Sequence, residues 1–364
     1  MRVTKLSLKN FRNYREETIS FSPFTNVIYG DNAQGKTNIL EAVNLFCRGK
    51  SHRTKSDTEL VRFTEPFAFV QMEFADRWRE FTGAIRIDKN GKKAVKINEV
   101  SIGKLSRLMS YFNVVLFSPE DLMLVKGSPA KRRSFMDAAI SQLHPAYLVS
   151  LTAYQKALEQ KNSLLKTMRR NGAKEDPTLS VWNDALAREG AKIMRARQAF
   201  LESMDRFASR IQQEISGERL RLFYEPGIGR EGAVDEREFF EYLESHVARE
   251  IELAASQYGI QRDDFDVQIN DNRARVYGSQ GQQRTAALSL KIAQAEHINE
   301  MKEEFPVLLL DDIMSELDTG RRSYLSEKIK DKQVLITCTD ADILPLSSSA
   351  AFIRVENGTA VRAD

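Results

Sequence analysis

Gly30-Asp31-Asn32-Ala33-Gln34-Gly35-Lys36-Thr37 satisfies the pattern G-x-x-x-x-G-K-[ST] at every fixed position. Gly30 and Gly35 let the backbone bend until several N–H groups face inward as an anion nest. Lys36 supplies a point charge for β- and γ-phosphates, and the Thr37 hydroxyl is a ligand for Mg²⁺. A helix beginning near Lys36 aims the positive end of its dipole at the same place. The chemistry these eight residues can do is phosphate binding.

Pro306-Val307-Leu308-Leu309-Leu310-Asp311-Asp312 is an aliphatic run ending in two carboxylates. A continuous apolar run suits a parallel strand buried on both faces, and α/β folds place ligands at the carboxyl ends of such strands. Asp311 is therefore expected to meet Mg²⁺ beside Thr37, with Asp312 placed to orient an attacking water. A third segment, Tyr277-Gly278-Ser279-Gln280-Gly281-Gln282-Gln283-Arg284, stands directly before a long helical stretch. Ser279, Gly281 and Gln282, with the N–H groups of a helix start, form a second anion-binding surface. One chain cannot easily apply both surfaces to one nucleotide, but two copies facing head to tail can.

The elements that must position these groups follow from periodicity. Val3 to Leu8 alternates as a strand, Thr25 to Tyr29 runs into Gly30, and Phe67–Phe74 and Phe81–Ile87 read as further strands. Asn90-Gly91 predicts a hairpin turn. Val114–Phe117 reads as a short buried strand, and Ser128-Pro129 as the start of a helix. From about Ala146 to Ser216 two amphipathic stripes, broken at Asn171-Gly172 and Asp176-Pro177, predict an antiparallel helical hairpin. Glu236 to Tyr258 reads as one more helix, Asp264–Ile269 and Arg273–Tyr277 as strands, and Gln283–Glu300 as a helix. Strands over Val334–Thr337 and Ala351–Val355 complete the pattern.

The whole chain has 364 residues, 42% hydrophobic and 29% charged, which is enough apolar material for a core and excludes disorder as the main state. The length suggests about two globular units. A net charge of +3 makes no polybasic coat and leaves nucleic-acid binding undecided. Two cysteines and four histidines lie too far apart for a C-x-x-C or H-x-x-x-H site, so free thiols in a reducing compartment are expected. No run of about 18 apolar residues occurs. The expected location is the cytoplasm, with no membrane partner.

A phosphate loop, a Ser-x-Gly-Gln segment before a helix, and a strand ending in Asp311-Asp312 together resemble an ABC-type ATPase head. Ser315-Glu316-Leu317-Asp318 resembles the loop that crosses the dimer seam in that superfamily. Most of the chain separates Thr37 from Ser279, far more than in transporter ATPases, and no long coiled coil intervenes. Leu8 to Tyr14, Gly30 to Ala42, Ser118 to Leu122, Lys126 to Pro129, Arg132-Arg133 and Ser279 to Ala293 resemble the RecF family of bacterial recombination mediators, and the likeness runs along the whole chain.

The resemblance implies an α/β P-loop ABC-type ATPase head with an antiparallel β subdomain and an inserted, mostly helical second lobe. Residues 1–100 and 256–364 would form the ATPase lobe and 101–255 the helical lobe. It implies ATP and Mg²⁺ as cofactors, an ATP-dependent homodimer, and binding to double-stranded DNA and single-/double-strand junctions. It further implies work with RecR and RecO, loading of RecA, and weak DNA-dependent ATP hydrolysis serving DNA repair, replication and the SOS response. Residue by residue, Gly30 to Thr37 would hold the nucleotide, with Lys36 catalytic and Thr37 and Asp311 on the metal. Ser279, Gly281 and Gln282 would act on the partner copy's nucleotide, with Ser279 catalytic and Asp318 at the seam. Glu120 stands about where related heads carry a metal-touching Gln.

Two departures matter. Asp312 stands in place of the usual Glu, and its shorter side chain points to slow hydrolysis. Gln261 stands where RecF proteins commonly show His. For DNA, the basic runs Arg48–Lys55, Lys131–Arg133 and Lys166–Arg170 are open to two readings, a solvated face or a phosphate contact. Two other readings compete: a transporter energiser, which the long spacing and helical insert disfavour, and a DNA scaffold that binds ATP with little turnover.

Overall fold

The computed structural model describes residues 1–103, 105–229, 232–340 and 350–363, and the chain divides into two compact units. Unit 1 takes Met1–Asp121, Glu214–Gly217 and the chain from Ala287 onward; unit 2 takes Leu122–Gln213 and Glu218–Ala286. The elements of unit 1 begin with β1 (Arg2–Phe11), β2 (Tyr14–Ser20), β3 (Thr25–Tyr29), α1 (Lys36–Arg48), β4 (Phe67–Ala75), β5 (Glu80–Asp88), β6 (Lys93–Ile97), β7 (Val100–Ser101), α2 (Leu105–Leu108) and β8 (Val114–Phe117). Next come α3 (Met123–Lys126), α4 (Pro129–Leu143), α5 (Pro145–Asn171), α6 (Pro177–Ser216), β9 (Leu220–Glu225), α7 (Glu236–Ser245), α8 (Val247–Leu253), β10 (Asp264–Ile269), β11 (Asn272–Arg273) and α9 (Ala274–Tyr277). Helix α10 (Gln280–Lys302) begins in unit 2 and ends in unit 1, followed by β12 (Val307–Asp311), α11 (Thr319–Ile329), β13 (Val334–Cys338), β14 (Ala351–Glu356) and β15 (Thr359–Ala363).

Unit 1 holds two sheets. One is antiparallel, in the order β2-β1-β4-β5-β6-β7; the other runs β15-β14-β3-β13-β12-β8 and is parallel except for β15. Strands β12 and β13 are apolar along their length and fully buried, as a parallel strand covered on both faces must be. Helix α1 packs on β8, β12 and β13, and its Ile39, Leu40, Ala42, Val43, Leu45, Phe46 and Cys47 are all completely buried. A helix apolar nearly all round belongs inside a core. Phe46 also presses on Gly83 of β5, where a Cβ would lie 2.6 Å from the ring. The parallel register sets Asp311 opposite Thr337 and Cys338 opposite Tyr29, so β3, β12 and β13 end at one edge. Among the described residues no helix is long and apolar enough to cross a membrane.

Unit 2 combines α3 to α9 with the antiparallel sheet β11-β10-β9. Charge is buried in it only where it is paired. The Arg197 guanidinium meets Asp137 at 2.8 Å and Asp263 at 2.6 Å, and Lys161 meets Glu250 at 2.5 Å with both side chains fully buried. Removing one partner of such a pair is strongly destabilising, because the other charge is left stranded.

Three expectations are corrected. The lobe boundaries placed near residues 100 and 255 fall instead after residues 121 and 286, because β8 returns to the parallel sheet and β10 pairs with β9 in unit 2. Arg273–Tyr277 is not a strand. Only Asn272–Arg273 pairs, and Ala274–Tyr277 coils into a helical turn closed by the Gly278 N–H on Ala274 O at 3.1 Å. The helix read over Glu236–Tyr258 breaks at His246, whose ring packs against both Tyr242 and Tyr258.

Because Gly83 is the space into which Phe46 packs, Gly83→Val should destabilise the fold by about 2 kcal/mol. A lowered unfolding midpoint in thermal or denaturant melts checks this; an unchanged midpoint would mean that the contact is not confining.

Candidate functional site

The phosphate loop is shaped by residues from outside it. Gly30 has φ +145° and Gly35 φ +114°, and added Cβ atoms would lie 2.3 Å from Val355 O and 2.6 Å from the Asn13 side chain. The Asn13 amide donates to Gln34 O at 2.8 Å, the Tyr14 hydroxyl to Gly35 O at 3.0 Å, and the Asn357 N–H to Gln34 Oε1 at 2.6 Å. Burial, then the charge of Glu17, push the Tyr14 phenol well above its usual range, so it stays a donor. With its oxygens engaged from the β1–β2 and β14–β15 turns, the loop presents N–H groups together with the start of α1, which no side chain caps.

Lys36 is buried, its Nζ donating to Gly30 O at 2.6 Å and Asp31 O at 2.7 Å. Thr37 donates its hydroxyl to Asp311 Oδ1 at 2.8 Å. The Thr337 hydroxyl donates to the same oxygen at 2.8 Å and accepts the Asp312 N–H at 3.0 Å. Thr337 thus belongs to the constellation, although sequence reading missed it. Its signal is the ladder pairing with Asp311, which needs the strand order to be known. Asp312 has φ +52°, a left-handed backbone that Asp adopts more readily than most residues, and its carbonyl accepts the Ser315 hydroxyl at 2.8 Å.

One turn beyond Thr37, the fully buried Glu41 carboxylate gathers four groups. Arg12 clasps it with two hydrogen bonds of 2.8 and 2.7 Å, the Ser51 hydroxyl donates to it, and Arg53 approaches to 3.4 Å. Burial raises its pKa, but the bonds from Arg12 and Ser51 outweigh burial and hold it below the usual carboxylate value. This revises the basic run Arg48–Lys55. Arg53 is tied to Glu41 and, at 2.8 Å, to Asn38, and Ser51 is buried, leaving Lys50 and Lys55 exposed and unaccounted for by this cluster. The run Lys131–Arg133 is likewise largely structural. Buried Arg132 clasps Asp264 at 2.6 and 2.7 Å, and Arg133 donates to Asp263 O at 2.7 Å. Lys166, Arg169 and Arg170 stand exposed on α5.

Ser279, Gly281 and Gln282 lie in unit 2, whereas the phosphate loop, Asp311, Asp312 and Asp318 lie in unit 1. Ser279 and Gln282 form a reciprocal cap at the start of α10. The Gln282 N–H donates to Ser279 Oγ at 3.2 Å, and the Ser279 N–H to Gln282 Oε1 at 2.8 Å. The Gln282 amide also reaches Glu218 at 2.6 Å, and Gly281 O accepts the Thr285 hydroxyl at 2.9 Å. Beside them Val276 and Tyr277 are exposed. Asp318 caps α11, accepting the Arg321 N–H at 2.9 Å. Glu120 is exposed, while Asp121 accepts the Ser118 N–H at 2.7 Å and pairs with Lys291 at 3.7 Å. Gln261 accepts the Tyr154 hydroxyl at 2.6 Å and donates to Tyr258 O at 2.7 Å, so its amide is engaged in the packing of unit 2.

The model of the RecF/RecN/SMC N terminal domain matches residues 2–360. The DNA replication and repair protein RecF of Bacillus cereus (strain B4264) is 41% identical over 368 residues, covering 99% of this chain and 98% of that protein. A solved structure of the recombination mediator protein RecF-ATP in the RecFOR pathway superposes with TM-score 0.92 at 34% identity, covering 100% of this chain and 97% of the other. The Smc head domain derived from Pyrococcus furiosus superposes with TM-score 0.55 at 17% identity, covering 99% and 95%, a likeness of fold alone. The fold is that of an ABC-type ATPase head.

The cluster around Glu41 also carries a titration. His52 Nδ1 accepts from the Asn44 amide at 2.9 Å. Burial pushes the His52 pKa from 6.5 down to about 4, against the pull of Glu41 and Asp311 and with the help of Arg48 and Arg53. Between those values the unfolded chain binds a proton that the folded chain refuses, so stability falls as pH falls through that window. The acid-side drop in unfolding midpoint should therefore be smaller for His52→Gln than for wild type. Equal drops would show that the folded ring titrates normally.

Proposed function

The chain belongs to the RecF/RecN/SMC family and, within it, to the RecF proteins, and on that footing we propose that it is an ATP-dependent DNA-binding recombination mediator of DNA replication and repair. The observation that carries this reading is the junction of Thr37 and Thr337 on one oxygen of Asp311, at the mouth of a phosphate loop held open from outside. The relative solved as RecF-ATP supports ATP as the ligand.

In this reading Lys36 exchanges the carbonyls of Gly30 and Asp31 for β- and γ-phosphate oxygens, while the loop N–H groups and the start of α1 hold the remaining phosphate charge. A hydroxyl and a carboxylate oxygen meeting at one point are the hard oxygen donors that magnesium takes, so Thr37 and Asp311 would hold Mg²⁺. Bound there, Mg²⁺ supplies neutralisation of charge on the transferring phosphoryl group. Thr337 fixes the Asp311 carboxylate and, through the Asp312 N–H, the start of the next segment. Asp312 orients the attacking water and accepts its proton. With one methylene fewer than Glu it does so slowly.

Ser279, Gly281 and Gln282 would complete the site on the nucleotide of a second copy, with Asp318 at the seam and the exposed Val276 and Tyr277 covered by the contact. ATP then binds the closed head-to-tail dimer better than the open chain, the differential affinity any such switch requires. The closed dimer would engage duplex DNA near single-strand gaps and assist RecA loading with RecO and RecR.

Phosphate release, measured with and without duplex DNA, tests this. DNA should raise wild-type turnover, Lys36→Arg should lower it by about 10-fold or more, and Asp312→Asn should nearly abolish it while ATP still binds. Turnover that ignores DNA and both substitutions would overturn the switch. No turnover combined with ATP-promoted DNA binding would put the scaffold reading in its place.

A further inference from the structure

Strands β4 and β5 are joined by Asp76-Arg77-Trp78-Arg79, a turn fixed from within. Asp76 Oδ1 accepts the N–H groups of both Trp78 and Arg79 at 2.7 Å, and the Asp76 N–H donates to Arg79 O at 3.0 Å. On this closed turn the Trp78 residue is 79% exposed. The Arg77 guanidinium lies 5.0 Å from the indole centroid, and the Arg79 guanidinium lies 5.2 Å from the Phe81 ring, itself stacked on Phe74 at 5.1 Å. The Arg77 and Arg79 side chains are 58% and 70% exposed, and their carboxylate partners stand at 3.9 Å (Glu303) and 3.4 Å (Asp76). Exposed pairs at such distances contribute little and exchange readily for a better anion.

An indole left this exposed adds little to the fold, yet the turn's backbone donors are spent on holding it out. We propose that this hairpin tip is a stacking platform for an unpaired nucleobase, with Arg77 and Arg79 taking the phosphates on either side of it. Resting on the DNA-binding reading above, the inference adds a residue that senses whether a strand is single. A base offers an indole its π face, and a guanidinium on each side of the aromatic in sequence matches one nucleotide and its two flanking phosphates. In a duplex both faces of each base are already covered by neighbours, so this platform takes only unpaired nucleotides. Glu303 and Glu304 line the adjoining cleft of about 430 Å³ and repel a longer phosphate track, which confines the contact to one or two nucleotides.

The test uses the full chain with ATP, titrated by anisotropy with gapped and uninterrupted duplexes. Trp78→Ala should weaken binding to the gapped duplex by about 5- to 100-fold and to the uninterrupted duplex by less than about 2-fold, whereas Trp78→Phe retains most of the affinity. In a Trp182→Phe background Trp78 is the remaining one of two tryptophans, and oligo-dT should quench its fluorescence. Equal losses on both duplexes, or unchanged binding to the gapped one without quenching, would overturn the platform and leave the tip as a surface for a protein. If the wild-type chain binds neither duplex with ATP, the DNA-binding reading itself falls, a result distinct from either.

Discussion

The site depends on one carboxylate oxygen. Asp311 Oδ1 accepts hydroxyl hydrogens from Thr37 and Thr337, residues delivered by α1 and β13, while Asp311 itself ends β12. Three elements distant in sequence converge because β3, β12 and β13 lie side by side in parallel register and stop at the same edge. Slipping any of these strands by one residue would turn its side chains to the opposite face and dissolve the junction. The fully buried strands and the apolar α1 beneath them make such a slip costly, so the hydrophobic core is what holds the oxygen in place.

Glu41 plays the complementary part on the other side of α1. A carboxylate with no exposure is tolerable only when its lone pairs are filled and its charge opposed. Arg12, Ser51 and Arg53 meet both conditions, and in doing so they tie the β1–β2 turn and the segment after α1 to the helix that bears Lys36 and Thr37. The same β1–β2 turn supplies Asn13 and Tyr14 to the phosphate loop. Loop and helix are thus braced by one short turn acting in two directions.

How far all this could be read from sequence divides along the range of each interaction. The phosphate loop, the run ending in Asp311-Asp312, the Asn90-Gly91 hairpin and the helical pair α5 and α6 are local patterns and were legible. Thr337, Asn13, Tyr14 and Asn357 were not, because their partners lie across strand pairings or hundreds of residues away. Arg53 and Arg132 looked like solvated charge for the same reason, since Glu41 and Asp264 become their neighbours only in the fold. The cap between Ser279 and Gln282 is a different case. Its S-x-x-Q spacing is visible in the sequence, but an anion-binding role and a capping role use the same atoms. Arg273–Tyr277 alternates like a strand, yet the turn at Asn270 and Asp271 leaves room for only two paired residues before the chain coils.

The contacts of Val355 with Gly30 and of Asn357 with Gln34 also order events in time. The loop is made early in synthesis, but the backbone that confines it on one side is made more than three hundred residues later. Its strand β3 lies between β13 and β14, both also late. A nascent chain therefore carries the complete phosphate-loop motif long before it carries the loop's shape. Pairings of such sequence separation are slow to form, and the intermediates that await them expose strand edges. Nucleotide would then favour finished chains over partial ones, so that binding competence is gained late and all at once.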